Sequence, residues 1–400
     1  MALRSIQGRD VAGKRLVVRA DLNVPVQDGQ VTDTTRIDRF AAGMKPLLAK
    51  GARLVILTHL GRPNGEMNPV FSVDKLRQTL SKALGVPVRF SDVSAGQSAE
   101  VHANALENGD VLLCENVRYH RGEQVNDPTL AREFARLGDI YVNDAFSCAH
   151  RAHASTEAIA HLMPAFAGPL MMEELVALRS ALENPQRPSV AIVGGAKVSS
   201  KIEVLKNLVG RVDHLIVGGG MANTFLFADG APIGKSLHEA DQLDTITEIK
   251  TLAKAAGCTI HLPVDVVVAR EFAAGAETET VAANGCPADA MILDAGPAAV
   301  AQFAQVLETS RTILWNGPLG AFEMQPFDAA TIALASKAAE MTRAHKYVSV
   351  AGGGDTVAAL NIAGVASDFT YVSTAGGAFL EWLEGRTLPG VAALMQHEKV

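Results

Sequence analysis

The chain has 400 residues, of which 48% are hydrophobic and 20% are charged. At about 150 residues per domain, this length predicts two or three domains. Its 36 Lys and Arg against 43 Asp and Glu give a net charge of −7, which argues against a general nucleic-acid binder.

Four cysteines stand far apart without a CxxC pair, so the sequence favours neither a zinc site nor a disulfide framework. The first ten residues lack the apolar core of a signal peptide. No stretch free of Asp, Glu, Lys and Arg is longer than Ala158–Met172, which is shorter than the roughly 18 residues of a membrane span. We therefore expect a cytoplasmic globular protein that binds neither nucleic acid nor membrane.

Short β-branched runs alternate with helical patterns along the chain, which is typical of parallel sheets built from βαβ units. In the first half we predict strands at Leu16–Ala20, Leu54–Thr58, Val111–Cys114 and Ile140–Asn143. Examples of the helical patterns between them are Val73–Leu84 and Leu130–Leu137.

A helical pattern over Pro169–Glu183, stopped by Pro185 and Pro188, predicts a connecting helix between two domains. Strands are then predicted at Val190–Val193, His214–Val217, Val264–Val268, Thr312–Trp315 and Tyr347–Val350. Helices are predicted at Ser200–Val209, Asp241–Ala256, Pro297–Leu307 and Asp328–Arg343. The expected fold is α/β, with two doubly wound, Rossmann-like parallel-sheet domains joined by the connecting helix and a hinge.

Ligands of open α/β sheets bind outside the carboxyl ends of the strands, so the residues after each strand are informative. In the first half these segments are charged and polar, and they hold Arg19, Arg36, Arg62, Arg118 and Arg151 with His59, His150 and His153. Guanidinium groups pair with phosphate or carboxylate in a bidentate way, so a small, multiply anionic ligand is indicated. Arg19, His150 and His153 are explained equally well as structural residues, and we leave them outside the site.

Glycines follow the strands of the second half, at Gly194-Gly195, Gly218-Gly219-Gly220, Gly317 and Gly352-Gly353-Gly354. Such turns let backbone N–H groups approach a phosphate at a helix N-terminus. Lys197 and Lys201 would share a helical face if the helix has begun at that point, and Asp355 could hold Mg²⁺. This half therefore indicates a nucleotide site, and the connecting helix would let the two domains close around a transferring phosphoryl group.

The sequence comes close to two nucleotide-binding motifs, the Walker A loop and GxGxxG, but completes neither. Asp229 stands where a Walker A loop ending in Gly234-Lys235-Ser236 needs its first glycine, and no GxGxxG is complete. A nicotinamide dehydrogenase is therefore disfavoured. A hinged small-molecule binding protein without turnover stays the alternative, although it gives no reason for the two lysines and Asp355 to accompany glycine turns.

With these residues in place, the chain resembles the phosphoglycerate kinase family along essentially its whole length. The matching segments are Arg19–Pro25, Thr34–Ile37, His59–Arg62, Glu115–Arg118, His150–Ser155, Gly194–Lys201, Trp315–Pro318, Gly352–Thr356 and Leu388–Val391. The resemblance implies reversible phosphoryl transfer from 1,3-bisphosphoglycerate to Mg-ADP, giving 3-phosphoglycerate and ATP, by a monomer. It also implies an N-terminal substrate domain over 1–168 onto which 385–400 folds back, a connecting helix over 169–184 and a nucleotide domain over 185–384.

The resemblance further implies the roles of individual residues. The glycerate ligand would be bound by Asp21, Asn23, Arg36, His59, Leu60, Gly61, Arg62, Arg118 and Arg151. The nucleotide would be bound by Lys197, Lys201, Gly218, Gly219, Leu293, Pro318, Glu323, Gly353, Gly354, Asp355 and Thr356, with Asp355 also on Mg²⁺. The catalytic set would be Arg36, Lys197, Lys201 and Gly376.

One position departs from the family pattern. A late Ser-Thr-Gly-Gly-Gly stretch here has Ala375 in place of its first glycine. A Cβ at this position is tolerated only if φ is negative and no phosphate packs against it. We therefore expect Gly376 and Gly377 to provide any close backbone approach, and we expect activity to be retained.

Overall fold

The computed structural model describes residues 3–395, which form two compact units. The N-terminal unit holds the described residues up to Glu174 together with those from Thr387 onward, and the C-terminal unit holds Leu175–Arg386. Of the segment 385–400 that we expected to fold back onto the first domain, residues 396–400 lie outside the described residues.

The N-terminal unit is built on a parallel sheet of six strands in the order β5-β6-β4-β1-β7-β8. The strands of the unit are β1 (Arg15–Arg19), β2 (Val26–Gln27), β3 (Gln30–Val31), β4 (Arg53–Leu57), β5 (Val88–Ser91), β6 (Val111–Cys114), β7 (Ile140–Asn143) and β8 (Ala165–Ala167). Its helices before the connecting segment are α1 (Thr35–Ala49), α2 (Arg77–Leu84), α3 (Gly96–Asn104) and α4 (Pro128–Ala135). The central strands are buried almost without interruption, as a sheet covered by helices on both faces requires.

The connecting segment is helical, as predicted. Helix α5 (Pro169–Leu178) is followed by a π-helical turn over Arg179–Glu183. The Oδ1 atom of buried Asp144 accepts a hydrogen bond from the backbone N–H of Leu170 at 2.7 Å. This bond satisfies a donor in the first turn of α5, where a helix leaves N–H groups unpaired.

A second parallel sheet of six strands, in the order β11-β10-β9-β15-β16-β17, forms the C-terminal unit. The strands of this unit are β9 (Ser189–Val193), β10 (His214–Val217), β11 (Thr259–His261), β12 (Asp265–Ala269), β13 (Thr278–Ala282), β14 (Met291–Ala295), β15 (Thr312–Asn316), β16 (Val348–Gly352) and β17 (Tyr371–Ser373). Its helices are α6 (Ile202–Val209), α7 (Gly219–Ala228), α8 (Leu243–Ala256), α9 (Pro297–Thr309), α10 (Ala329–Arg343), α11 (Gly354–Ile362) and α12 (Gly377–Leu383). Helix α13 (Pro389–Ala392) follows in the part of the chain that belongs to the N-terminal unit.

The fold class that the sequence predicts is confirmed, with one addition. The predicted strand at 264–268 is β12, but it pairs with β13 and β14 in a separate antiparallel sheet. Strand β13 is mostly polar and exposed, so its sequence lacks the apolar pattern that would predict a strand. In the described part of the chain, no helix has both the length and the apolar character needed to cross a membrane.

Candidate active site

In the N-terminal unit, strand β1 lies between β4 and β7, so the loops after these strands meet at one edge of the sheet. Arg36, in the first turn of α1, donates to the Asp21 carboxylate at 2.7 Å and to the Asn23 carbonyl at 3.2 Å. The Asn23 side chain in turn accepts from the backbone N–H of Gly61 at 2.9 Å. These bonds tie the loops after β1 and β4 to the first turn of α1.

The Asp21 carboxylate is ionised in this arrangement. Burial alone would raise the pKa of the group, but the charge of Arg36, with a hydrogen bond from Ser147, holds that pKa below its ordinary value. The Ser147 hydroxyl also donates to this carboxylate. Asp21 therefore orients Arg36.

The His59 imidazole is uncharged at neutral pH. The residue is 5% exposed, and burial together with the charge of Arg19 lowers the pKa of His59 to about 3. Arg19 Nη2 lies 3.1 Å from His59 Nδ1. The following Leu60 is buried as well.

Three further arginines differ in how much they are already engaged. Arg118 is half-buried, donates to the Gly61 carbonyl at 2.8 Å, and has a buried Nε atom without a partner in the described structure. Arg62 and Arg151 are exposed. The Nε of Arg151 donates to the His150 ring at 3.3 Å. Most donors of these guanidinium groups are thus available to an anionic ligand.

A trio of potential metal ligands lies in the same place. The side-chain ligand atoms of Asp21, His59 and Cys148 all lie within 4.8 Å of one another. However, the Arg19 guanidinium contacts both His59 Nδ1 and, at 3.7 Å, the Cys148 sulfur. Arg36 already neutralises Asp21. Because arginine cations hold all three ligand groups, the trio does not fit a metal ion.

In the C-terminal unit, several glycines at strand ends are required by packing between backbone segments. A Cβ on Gly194 would lie 1.8 Å from the Pro318 carbonyl oxygen, and one on Gly218 would lie 2.7 Å from the Leu319 side chain. These glycines let the loops after β9, β10 and β15 pack together.

Two other glycines border open space. A Cβ on Gly354 or on Gly376 would have no atom within 4 Å apart from those of its own neighbouring backbone. Gly354 opens α11, and Gly376 precedes α12 with a φ of +50°, in the left-handed region that favours glycine. Ala375 does not have a positive φ, so the backbone there accepts a Cβ, which meets the first of the two conditions for an alanine at this position.

A cavity of about 510 Å³ opens beside these strand ends. Of the predicted nucleotide residues, the structure places Gly219, Leu293, Pro318, Glu323 and Asp355 on its wall. The wall does not include Gly218, Lys197, Lys201, Gly353, Gly354 or Thr356. It does include Leu237, Phe272 and Met291, which sequence reasoning missed because isolated apolar residues give no functional signal.

The two lysines after β9 have different surroundings. Helix α6 begins only at Ile202, so both lysines precede it, and Lys197 and Lys201 do not share a helical face. The Lys201 ammonium donates to the carbonyls of Gly194 at 2.7 Å and Asn316 at 3.1 Å, and burial lowers its pKa to about 8. Lys197 is exposed.

Polar contacts also hold the loop before α11. The Asn316 side-chain amide donates to the Gly352 carbonyl at 2.8 Å, and Gly317 N–H donates to the Thr356 hydroxyl at 2.6 Å. Asp355 lies in the first turn of α11 and is exposed. An exposed carboxylate beside an open helix N-terminus suits a hydrated Mg²⁺ that also contacts phosphates.

A family model described as phosphoglycerate kinase matches residues 6–386 of the chain. The chain belongs to the phosphoglycerate kinase family. It is 58% identical over 395 residues to the phosphoglycerate kinase of Cereibacter sphaeroides, which covers 98% of this chain and all of the relative. It is also 58% identical over 396 residues to the phosphoglycerate kinase of Ruegeria pomeroyi. That match covers 99% of this chain and 100% of the relative.

Solved structures of phosphoglycerate kinases share this fold. The enzyme from Coxiella burnetii matches with a TM-score of 0.92 and 43% identity, over 99% of both chains. The enzyme from Pyrococcus horikoshii OT3 matches with a TM-score of 0.79 and 28% identity, over 98% of both chains. The resemblance deduced from the sequence is confirmed.

The reaction follows from membership of the phosphoglycerate kinase family. The chain is a phosphotransferase with a carboxyl group as acceptor, which reversibly transfers the acyl phosphate of 1,3-bisphosphoglycerate to ADP in glycolysis. This excludes the alternative of a binding protein without turnover.

Proposed function

We propose that the N-terminal unit binds the glycerate ligand of the phosphoglycerate kinase reaction. The residues proposed to bind it are Asp21, Asn23, Arg36, His59, Leu60, Gly61, Arg62, Arg118 and Arg151. The observation that carries this proposal is the Asp21–Arg36 pair, which directs a guanidinium group towards the same sheet edge as Arg118. 3-Phosphoglycerate carries a carboxylate and a phosphate, and guanidinium groups recognise both.

The nucleotide is proposed to bind in the C-terminal unit. Gly218, Gly219, Leu293 and Pro318 would surround the adenine, Glu323 would face the ribose, and Lys197, Lys201, Gly353, Gly354 and Thr356 would hold the phosphates. The 510 Å³ cavity supports this assignment, since Leu293 and Pro318 lie on its wall together with Leu237 and Phe272. Apolar walls with a few polar groups are typical of small-molecule sites.

Phosphoryl transfer in this proposal needs no general base. The attacking atom is already an anionic oxygen, so positioning and charge neutralisation carry catalysis. Arg36, Lys197 and Lys201 would neutralise the transferring group, and the backbone of Gly376 would approach it. The open space at Gly376 supports this role.

We further propose that the nucleotide binds with Mg²⁺ held by Asp355. Held there, Mg²⁺ would supply positive charge to offset that of the nucleotide phosphates. We also propose that the enzyme is a monomer of the cytoplasm without nucleic-acid or membrane partners. During turnover it would bend at a hinge, so that its two ligands can meet.

A coupled assay tests the activity, and calorimetry tests which unit binds which ligand. 3-Phosphoglycerate, Mg-ATP and a downstream dehydrogenase should give substrate-dependent oxidation of reduced nicotinamide. Calorimetry should then show that Arg118→Ala weakens 3-phosphoglycerate binding and leaves Mg-ADP binding within about twofold. Equal losses for both ligands would contradict the assignment of Arg118 to the glycerate site.

A further inference from the structure

Arg19 is an arginine without access to solvent. Its side chain is 0% exposed, at the carboxyl end of β1. The Nε atom donates to the Ser155 hydroxyl at 2.8 Å, and Nη1 donates to the carbonyl of Ala20. Nη2 lies 3.1 Å from His59 Nδ1. Each nitrogen of the guanidinium group therefore has a polar neighbour.

The contact with His59 determines which imidazole nitrogen carries the proton. A guanidinium group has only N–H donors and cannot accept a hydrogen bond. His59 Nδ1 must then be the acceptor, and the proton of the neutral ring lies on Nε2. Nε2–H is then the hydrogen-bond donor of the ring.

A buried carboxyl group holds Arg19 from the opposite side. Ser155, which accepts from Arg19, donates its hydroxyl hydrogen to Glu123 at 2.5 Å. The backbone N–H of Ser155 donates to the other Glu123 oxygen at 3.0 Å. Glu123 is 0% exposed, and burial raises its pKa while the charge of Arg19 opposes that rise. The order of contacts is Glu123, Ser155, Arg19, His59.

We propose that Arg19, held by Ser155 and Glu123, is a positioning residue that fixes His59 as the Nε2–H tautomer, so that His59 donates a hydrogen bond to the anionic glycerate ligand. This inference rests on the proposed glycerate site. It explains why a basic site contains an uncharged imidazole: the ring is a donor of fixed orientation.

The other charged groups around His59 support the same protonation state. Arg36 and Arg118 act with Arg19 to oppose a charge on the ring, and Asp21 alone favours one. The Cys148 thiol, which also contacts Arg19, stays protonated because burial raises its pKa. The ring should remain neutral over the whole range in which the enzyme works.

Nuclear magnetic resonance of the ¹⁵N-histidine-labelled full chain tests the tautomer directly. The His59 signals are assigned by their loss in His59→Asn. We expect Nδ1 unprotonated and Nε2 protonated between about pH 6 and 8, with Nε2 shifted by added 3-phosphoglycerate. A protonated Nδ1, or a doubly protonated ring, would overturn the inference. An unmoved His59 signal would instead contradict the proposed glycerate site and leave the tautomer result intact.

A serine variant tests the holding contacts. Ser155→Ala removes both buried hydrogen bonds of the Ser155 hydroxyl, to Arg19 and to Glu123. By loosening Arg19 it should raise KM for 3-phosphoglycerate by about 3- to 10-fold, with KM for ATP unchanged. It should also move the His59 Nδ1 resonance, and Ser155→Thr should restore both. The control Ser91→Ala removes an equally buried serine in β5 that donates to Val93. Unchanged KM and unchanged ¹⁵N shifts in Ser155→Ala would overturn the role of Ser155. The wild-type spectrum decides the tautomer even if this variant does not fold.

Discussion

The Nζ atom of Lys201 lies 2.7 Å from the carbonyl oxygen of Gly194, at the end of strand β9. The carbonyl is neutral, so it orients the ammonium group without compensating its charge. Burial therefore lowers the pKa of Lys201 to about 8, against a smaller opposing effect of Asp355. An anionic phosphate in this place would favour the charged form and raise that pKa.

Nucleotide binding should consequently take up a proton at alkaline pH. Near pH 6.5 Lys201 is charged both in the free and in the bound enzyme, so no proton is exchanged. Near pH 8.5 the free amine is mostly neutral and the bound one charged, so the affinity for Mg-ADP falls as pH rises through 8. Calorimetry at about pH 8.5 in two buffers of different ionisation enthalpy measures this uptake, and Lys201→Gln should abolish it. Identical heats in both buffers would contradict the proposal.

The Arg36 guanidinium should contribute to the transition state. Arg36→Ala is expected to lower kcat by about 10²- to 10³-fold, as for the loss of one strong charge-stabilising donor. Arg39→Ala is the matched control, one turn along α1, where Arg39 pairs with Glu173 at 3.3 Å. Steady-state kinetics should show the control within about twofold of wild type. An Arg36→Ala enzyme with unchanged turnover would remove Arg36 from the catalytic set.

The parallel sheets could be predicted because their strands are short apolar runs. The strands Val111–Cys114, Ile140–Asn143 and His214–Val217 have the predicted bounds. The antiparallel partner of β12 could not be predicted, since the Thr278–Ala282 strand is exposed and polar. The helical pattern over 73–84 proves to be a 3₁₀ turn followed by α2, a distinction that apolar periodicity does not make.

For the candidate site, sequence reasoning found the charged residues more readily than their surroundings. The motifs contain Arg36 and Lys201, but no sequence pattern predicts that backbone carbonyls accept hydrogen bonds from the Lys201 ammonium group. The glycines were expected to admit phosphate, whereas Gly194 is needed for packing against Pro318. The sequence leaves a structural and a functional role for Arg19 equally open, because its contact with His59 depends on a fold that brings β1 beside β4.

The two small residues before α12 should differ in their response to exchange, because only one of them has a positive φ. Gly376→Ala forces alanine to a φ of +50° and should cost roughly 1–2 kcal/mol of stability together with a loss of kcat. Ala375→Gly relieves nothing and should lower stability by at most about 1 kcal/mol through chain entropy, with kcat unchanged. Denaturant unfolding and kinetics measure both variants. If kcat fell in Ala375→Gly and not in Gly376→Ala, the backbone of Gly376 would not be the one that approaches the transferring phosphoryl group.

Asp355 should govern the magnesium dependence without affecting the fold. Because the side chain is exposed, Asp355→Asn should leave the denaturation midpoint unchanged. The variant should need at least about tenfold more Mg²⁺ for half-maximal activity, since a carboxylate ligand is lost. Asp368→Asn is the control, an aspartate that pairs with Arg343. Titration of activity with Mg²⁺ at fixed ATP distinguishes the two, and identical curves would contradict the metal assignment.

The lysine-bearing loop is held by a carboxylate far along the chain. Glu239 accepts from the Ser199 backbone N–H at 2.9 Å and from the Ser199 hydroxyl at 2.5 Å. Its own N–H donates to the Thr224 hydroxyl at 3.2 Å, and that hydroxyl donates to the Gly220 carbonyl at 3.1 Å. Since Gly220 lines the cavity, this chain of bonds connects the loop between Lys197 and Lys201 to the cavity wall.

Breaking this connection should weaken nucleotide binding alone. Glu239→Ala removes both acceptors of Ser199 and should raise KM for ATP by about 3- to 10-fold, while KM for 3-phosphoglycerate stays within twofold. Ser199→Ala should have a smaller effect, because Glu239 keeps its bond to the backbone N–H.

In a double-mutant cycle the two changes should couple by about 1 kcal/mol in kcat/KM for ATP, because they remove the same hydroxyl–carboxylate bond. Glu248→Ala breaks the pair with Lys206 between α8 and α6 and controls for the loss of a carboxylate. Additive effects in the cycle would show that the Ser199–Glu239 contact does not position the lysines.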